Sequence, residues 1–216
     1  MKPRIALIHA TPVAIDPVKA AFASVWPEAD TAHILDESLT PDRARTPDLT
    51  AEMFERFEML TRYARHIGSA GVLFTCSAFG EAIDAAAKRV DVPVLKPNEA
   101  MFEAAIAYGS RIGMVATFAP AVPGMEEEFR QAAMERGSKA TLRTVVAEGA
   151  MAALRGGDEA AHNRLVAEAA GRLDCDAVML AHFSTSRALA SAKAASSKPV
   201  LTSPEAAVAK MRSLVR

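Results

Sequence analysis

Only two cysteines occur among the 216 residues, and they stand 99 positions apart. Thiols so spaced make neither a disulfide framework nor a zinc motif. A basic excess is absent too: Lys plus Arg is 25 against 26 for Asp plus Glu, a net charge of −1. Without a polybasic run, neither nucleic acid nor a membrane surface is an expected partner. No apolar run approaches the roughly 18 residues that suggest a bilayer crossing, so no transmembrane helix is expected. The opening MKPRIALIHATPVAI is too short in its apolar part for a signal peptide, and His9 and Pro12 break it. GxGxxG and a P-loop lysine pattern are missing, which argues against nucleotide binding. No His, Asp or Glu cluster has metal-ligand spacing. Ser184 lies outside a G-x-S-x-G elbow, which argues against a serine hydrolase. The remaining expectation is a cytoplasmic, reduced, globular protein using neither metal nor cofactor.

Half the residues are hydrophobic, enough to fill a sizeable core. Short β-rich runs alternate with longer helical ones. RIALIHA, TAHILD, GVLFT and VPVLK read as strands, and SRIGMVATF, TLRTVVA, DAVMLAHF and KPVLTS as four more. Amphipathic runs separate them, the longest from residue 51, with Met53, Phe54, Phe57, Leu60 and Ala64 three or four apart. The helix beginning VPGMEEEF is expected to carry acids in its first turn. ESLTPDRARTPDLT reads as a polar loop long enough to be a lid. Strict alternation argues for parallel βαβ units and an α/β fold.

The alternation hides a repeat. VPVLKPNEA (92–100) and KPVLTSPEA (198–206) share Pro93, Val94, Leu95, Glu99 and Ala100 at a shift of 106. At that shift GVLFTCSAF falls on AVMLAHFST, and Cys76 falls on His182. RIALIHAT resembles RIGMVATF at a shift of 107, and with one gap Thr11 falls on Thr117. The period is too long for a solenoid, so a duplicated α/β domain is expected. Two pseudo-symmetric, Rossmann- or flavodoxin-like parallel-sheet subdomains follow, with an interdomain active-site cleft at the carboxyl ends of the strands. The expected division is 1–98 plus 205–216 for the first subdomain and 99–204 for the second, the last helix returning to the first.

Thr11, Cys76, Thr117 and His182 all fall at predicted strand ends, Cys76 and His182 on opposite walls of one cleft. Cys76 precedes a helix N-terminus, where the dipole is expected to lower its pKa and make it a base or nucleophile. His182 suits an acid or base on the other face, or an imidazolium holding a carboxylate. Cys175 reads as structural, His9 as bordering the site, and His33, His66 and His162 as surface or packing residues. Asp36, Glu37 and Ser38 read as the start of a solvated loop. One thiol with one imidazole permits a two-base racemase or isomerase; one thiol alone suits a decarboxylase, or a cis–trans isomerase with Cys76 adding to a double bond; these residues do not choose.

The duplicated halves, FTCSAFG, VATF and LAHFSTS resemble the aspartate/glutamate/hydantoin racemase superfamily, which also contains maleate isomerase and arylmalonate decarboxylase. The resemblance covers essentially the whole chain. It implies a cofactor-independent racemase or isomerase acting at a carbon next to a carboxylate of a small substrate, with room for a homo-oligomer. In the family's racemases one cysteine in each half flanks that carbon. Cys76 matches the first; His182 stands at the second. By the same resemblance Ser77, Ser184, Thr11 and Thr117 bind the carboxylate. Phe118, next to Thr117, is expected to make the pocket partly apolar, which would disfavour free aspartate. The alternatives are an arylmalonate-type decarboxylase with Cys76 as proton donor, or a non-catalytic carboxylate-binding protein.

Overall fold

The computed structural model describes residues 2–215, and the chain divides into two compact units, Met1–Pro97 with Pro204–Arg216, and Asn98–Ser203. The first unit runs β1 (Arg4–His9), α1 (Ile15–Val25), β2 (Asp30–Leu35), α2 (Leu39–Arg45), α3 (Ala51–His66), β3 (Gly71–Phe74), α4 (Gly80–Ala87) and β4 (Val94–Leu95). The second runs α5 (Glu99–Ile106), β5 (Arg111–Ala116), α6 (Val122–Glu135), β6 (Thr141–Val146), α7 (Ala150–Arg155), α8 (Glu159–Gly171), β7 (Ala177–Leu180), α9 (Leu189–Ala195) and β8 (Val200–Thr202). Helix α10 (Ser203–Leu214) carries the chain back into the first unit.

Each unit is built on one four-stranded sheet, ordered β2-β1-β3-β4 and β6-β5-β7-β8. Every pairing is parallel, and the registers repeat: Ile5 lies beside Gly71 in one sheet as Ile112 lies beside Ala177 in the other. The central strands are buried along nearly their whole length. Such continuous apolar runs suit a parallel sheet covered by helices.

Helix α3 shows how the sequence sets these covers. The Thr50 hydroxyl accepts the N–H of Met53 and caps the helix start. Met53, Phe57 and Ala64 turn inward, and Phe57 stacks on Phe74 and Phe79 with ring centroids 5.1 and 4.7 Å away. Gly68, at φ +79°, ends the run in a conformation that favours glycine. In α10, Met211 covers Gly71 so closely that a Cβ there would meet its sulfur at 2.6 Å. Asn98 and Ser203, where the chain enters and leaves the second unit, are buried and joined by a 2.6 Å hydrogen bond from the Ser203 hydroxyl to Asn98 Oδ1.

Two local expectations are corrected. The stretch read as a polar loop contains α2: Leu39 is an apolar anchor with no exposure, and Pro41 sits in the first turn, where its missing N–H costs nothing. Helix α6 has no acid in its first turn because it begins at Val122, which leaves Glu126, Glu127 and Glu128 in the second.

Candidate active site

In each unit the sequence-predicted site residues gather at the carboxyl ends of the two central strands. Past β3, the Thr75 N–H donates to the Ile8 carbonyl at 3.0 Å; past β7, the Ala181 N–H donates to the Val115 carbonyl at 2.9 Å. These equivalent bonds end the two ladders, and the next residues are Cys76 and His182. Thr11 is half-buried just beyond β1, before a short 3₁₀ turn. Ser77 is buried directly after Cys76. In the second unit Thr117 and Phe118 follow β5, before the matching 3₁₀ turn. The Thr117 hydroxyl oxygen is buried with no hydrogen-bond partner among the described residues. Ser184 is buried two residues past His182.

The Cys76 side chain is almost fully covered, with the residue 8 % exposed. Burial pushes its thiol up to about 12, against the favourable N–H groups of Cys76 itself and Ala10. This corrects the expected low pKa: α4 begins only at Gly80, so the sulfur sits ahead of the helix end, and lost hydration outweighs the backbone donors. Cys76 is therefore held as a thiol. His182 is equally covered, and burial lowers its imidazole to about 4, so it is held neutral. Its backbone has φ +88° and ψ 140°, the one positive φ outside glycine among the described residues. A side chain in that region costs of order 1–3 kcal/mol in local strain, and such strain clusters at functional sites.

Next to Cys76 lies a polar cluster. His9 has no exposure; its Nδ1 pairs with Thr75 Oγ1 at 2.8 Å and its Nε2 with His33 Nδ1 at 2.9 Å. Burial first, then His33 and Lys19, lower His9 to about 3. His33, read from sequence as surface or packing, is thus the outer member of a histidine pair. The turn from Asp36 to Ser38 is tied down rather than free: Arg56 bonds Asp36 and Ser38 and reaches Asp42 on α2. Helix α2 itself contributes Thr40 and Arg43, which hydrogen-bond the carbonyls of Ala10 and Ala78. No sequence signal marked either, since an arginine in a proline-bearing polar stretch reads as solvated. Cys175 is a packing residue: it is buried under β5, where a Cβ on Gly113 would lie 2.9 Å from its sulfur. Among the described residues no group of three or more His, Cys, Asp or Glu is placed to hold a metal ion. No helix among them is long and apolar enough to cross a membrane.

Residues 15–174 match the Asp/Glu/Hydantoin racemase family. The chain belongs to that family. The matched region ends before β7 and His182. Racemase-family structures share the fold. A glutamate racemase isoform from Bacillus anthracis superposes with a TM-score of 0.79 at 15% identity, covering 98% of this chain and 80% of that one. An allantoin racemase from Klebsiella pneumoniae gives 0.70 at 20%, covering 99% and 88%. A liganded variant of arylmalonate decarboxylase gives 0.63 at 18%, covering 99% and 93%. No curated protein sequence matches the chain.

Two of the buried histidines, His9 and His182, imply acid lability. Each has a folded pKa below its unfolded value, so the unfolded state binds more protons once the pH falls below about 6.5. Stability is expected to drop from there toward pH 4 for His182 and pH 3 for His9. At pH 5 the loss is about 2 kcal/mol for each. Urea midpoints measured from pH 7.5 to 5 read this directly; a constant midpoint would mean that these imidazoles titrate normally.

Proposed function

We propose that this family member is a cofactor-independent racemase or isomerase acting at a carbon next to a carboxylate of a small substrate. One observation carries the reading. Cys76 and His182 occupy equivalent strand-end positions, one held as thiol and the other as neutral imidazole. Environments that push two pKa values apart make one group the acid and the other the base. In the forward step the His182 imidazole takes the α-proton, and the electron pair spreads onto the carboxylate as an enediolate. Cys76 then delivers its S–H proton to the opposite face, leaving thiolate and imidazolium. Solvent proton exchange, or the reverse reaction, restores the pair. The hydroxyls of Thr11, Ser77, Thr117 and Ser184 hold the carboxylate, and the loss of one such donor typically costs about a hundredfold. The unpartnered Thr117 oxygen supports that role. Phe118 lines the apolar side of the substrate.

A second reading has its own support. A protonated thiol is what a decarboxylase needs to quench the carbanion left by CO2 loss, and a structural relative is an arylmalonate decarboxylase. Proton exchange followed by NMR in deuterated water separates the two. The panel holds amino acids, hydantoins, arylmalonates and other small carboxylates, with wild type and Cys76→Ala side by side. Uptake at a substrate α-carbon that Cys76→Ala abolishes supports the racemase reading. Uptake accompanied by CO2 release selects the decarboxylase. Binding without exchange would turn the assignment to a carboxylate-binding protein.

A further inference from the structure

Helix α2 touches both chain segments that surround Cys76. On one side the Thr40 hydroxyl donates to the Ala10 carbonyl at 2.5 Å. Ala10 is the residue whose N–H favours the Cys76 thiolate, so Thr40 grips the far end of a residue that faces the sulfur. On the other side Arg43 Nε donates to the Ala78 carbonyl at 3.1 Å, two residues past Cys76. A trans peptide sends its C=O and N–H in opposite directions. Fixing the Ala78 carbonyl therefore fixes the plane of the Ala78–Phe79 peptide, and with it the N–H of Phe79, the residue just before α4.

Arg43 is built for this task rather than for solvent. It is 7 % exposed, and its Nη1 also donates to the Thr46 and Pro47 carbonyls, at 2.7 and 3.2 Å. Burial lowers its pKa while nearby Asp48 supports its charge. A guanidinium loses several kcal/mol of hydration on burial unless hydrogen bonds offset the loss, and here main-chain carbonyls do so. Helix α2 is itself anchored by Arg56, which reaches Asp36 and Asp42 from α3 at 2.6 and 2.7 Å.

We propose that Thr40 and Arg43 are positioning residues for Cys76: α2 clamps the Ala10 and Ala78 peptides and thereby fixes the thiol's placement and its closure from solvent. The catalytic part of the inference rests on the role given to Cys76 above; the structural part does not. The test uses Thr40→Val, which keeps the side-chain shape and removes the hydroxyl, Thr40→Ser, which restores it, and Arg43→Met, which keeps the stem. Arg43→Lys keeps the charge but cannot span the same carbonyls.

Two readouts are taken. Iodoacetamide labelling resolved by peptide needs no substrate. Thr40→Val and Arg43→Met are expected to speed labelling of Cys76 by about tenfold, because burial is what suppresses its thiolate. Cys175, packed by Gly113 and Leu173 in the other unit and bonded to neither Thr40 nor Arg43, serves as the reference and is expected to stay within about twofold. Thr40→Ser is expected to label as wild type. With an active substrate, kcat is expected to fall roughly 10–100-fold in Thr40→Val and Arg43→Met with KM nearly unchanged, as small misplacements of a reacting group do. Arg43→Lys is expected to fall with Arg43→Met. Unchanged Cys76 labelling, or equal acceleration at Cys76 and Cys175, overturns the clamp. An inactive wild type with selective Cys76 acceleration supports the clamp and counts only against the enzymatic reading.

Discussion

His182→Asn is expected to lower α-proton exchange by about 10²–10⁴-fold, the span typical of a lost general base. Asparagine is the informative replacement. His182 already carries a non-glycine side chain at φ +88° and ψ 140°, so a smaller one in its place adds no new backbone strain. Asparagine is polar and planar like imidazole but does not titrate. Thermal stability is therefore expected to stay within a few degrees, which assigns the loss to chemistry and not to unfolding. The wild-type pH profile carries the same idea in another form. An unperturbed imidazole and thiol would give kcat/KM a bell with limbs near 6.5 and 8.5. Burial moves the limbs to about 4 and about 12, so the profile is expected to be flat across the neutral range. A narrow bell centred near pH 7.5 would mean that the active enzyme exposes both groups, and exchange unaffected by His182→Asn would remove the residue from the reaction.

The Cys76 thiol is expected to react with iodoacetamide about two-thousandfold more slowly than a free cysteine at pH 8. The factor follows from the thiolate fractions at that pH for a pKa near 12 and for an ordinary value of 8.5. The rate is expected to climb about tenfold per pH unit through pH 10 with no plateau, since the midpoint lies above that range. Unfolding in urea should bring the rate to that of a model thiol. Fast labelling of the folded protein with a plateau below pH 9 would show that the backbone donors of Cys76 and Ala10 outweigh burial. The resting thiol would then be a thiolate, and the acid and base roles of Cys76 and His182 would be exchanged.

These charge states mark where sequence reading succeeds and where it stops. The eight strands were legible because the central ones are buried on both faces and carry unbroken apolar runs. The repeat was legible because a shift of 106 or 107 preserves register as well as residues, as Ile5 beside Gly71 and Ile112 beside Ala177 show. That shift also pairs Cys76 with His182. What it could not convey is solvation. The helix-dipole argument for a reactive Cys76 was sound in sign and too small in size, because nothing in FTCSAF reports how completely the sulfur is covered. Helix α2 was invisible for a related reason: its one buried apolar residue, Leu39, sets no periodicity, and Arg43 turns inward to carbonyls that only the fold brings near. His9 and His33 lie 24 positions apart, and only the β1–β2 pairing makes them partners.

The route of α10 bears on how the chain matures as it is synthesised. Domains generally fold as units as they emerge, the earlier one first. Here the earlier unit is discontinuous: its segment Pro204–Arg216 is translated after the whole of the other unit, and until then Met211 is missing from its place over Gly71 on β3. The later unit is continuous, and its two ends meet through Asn98 and Ser203. The half encoded second therefore has all its parts before the half encoded first, which reverses the usual order. The nascent polypeptide carries an unfinished Cys76 half until the segment from Pro204 onward has left the ribosome.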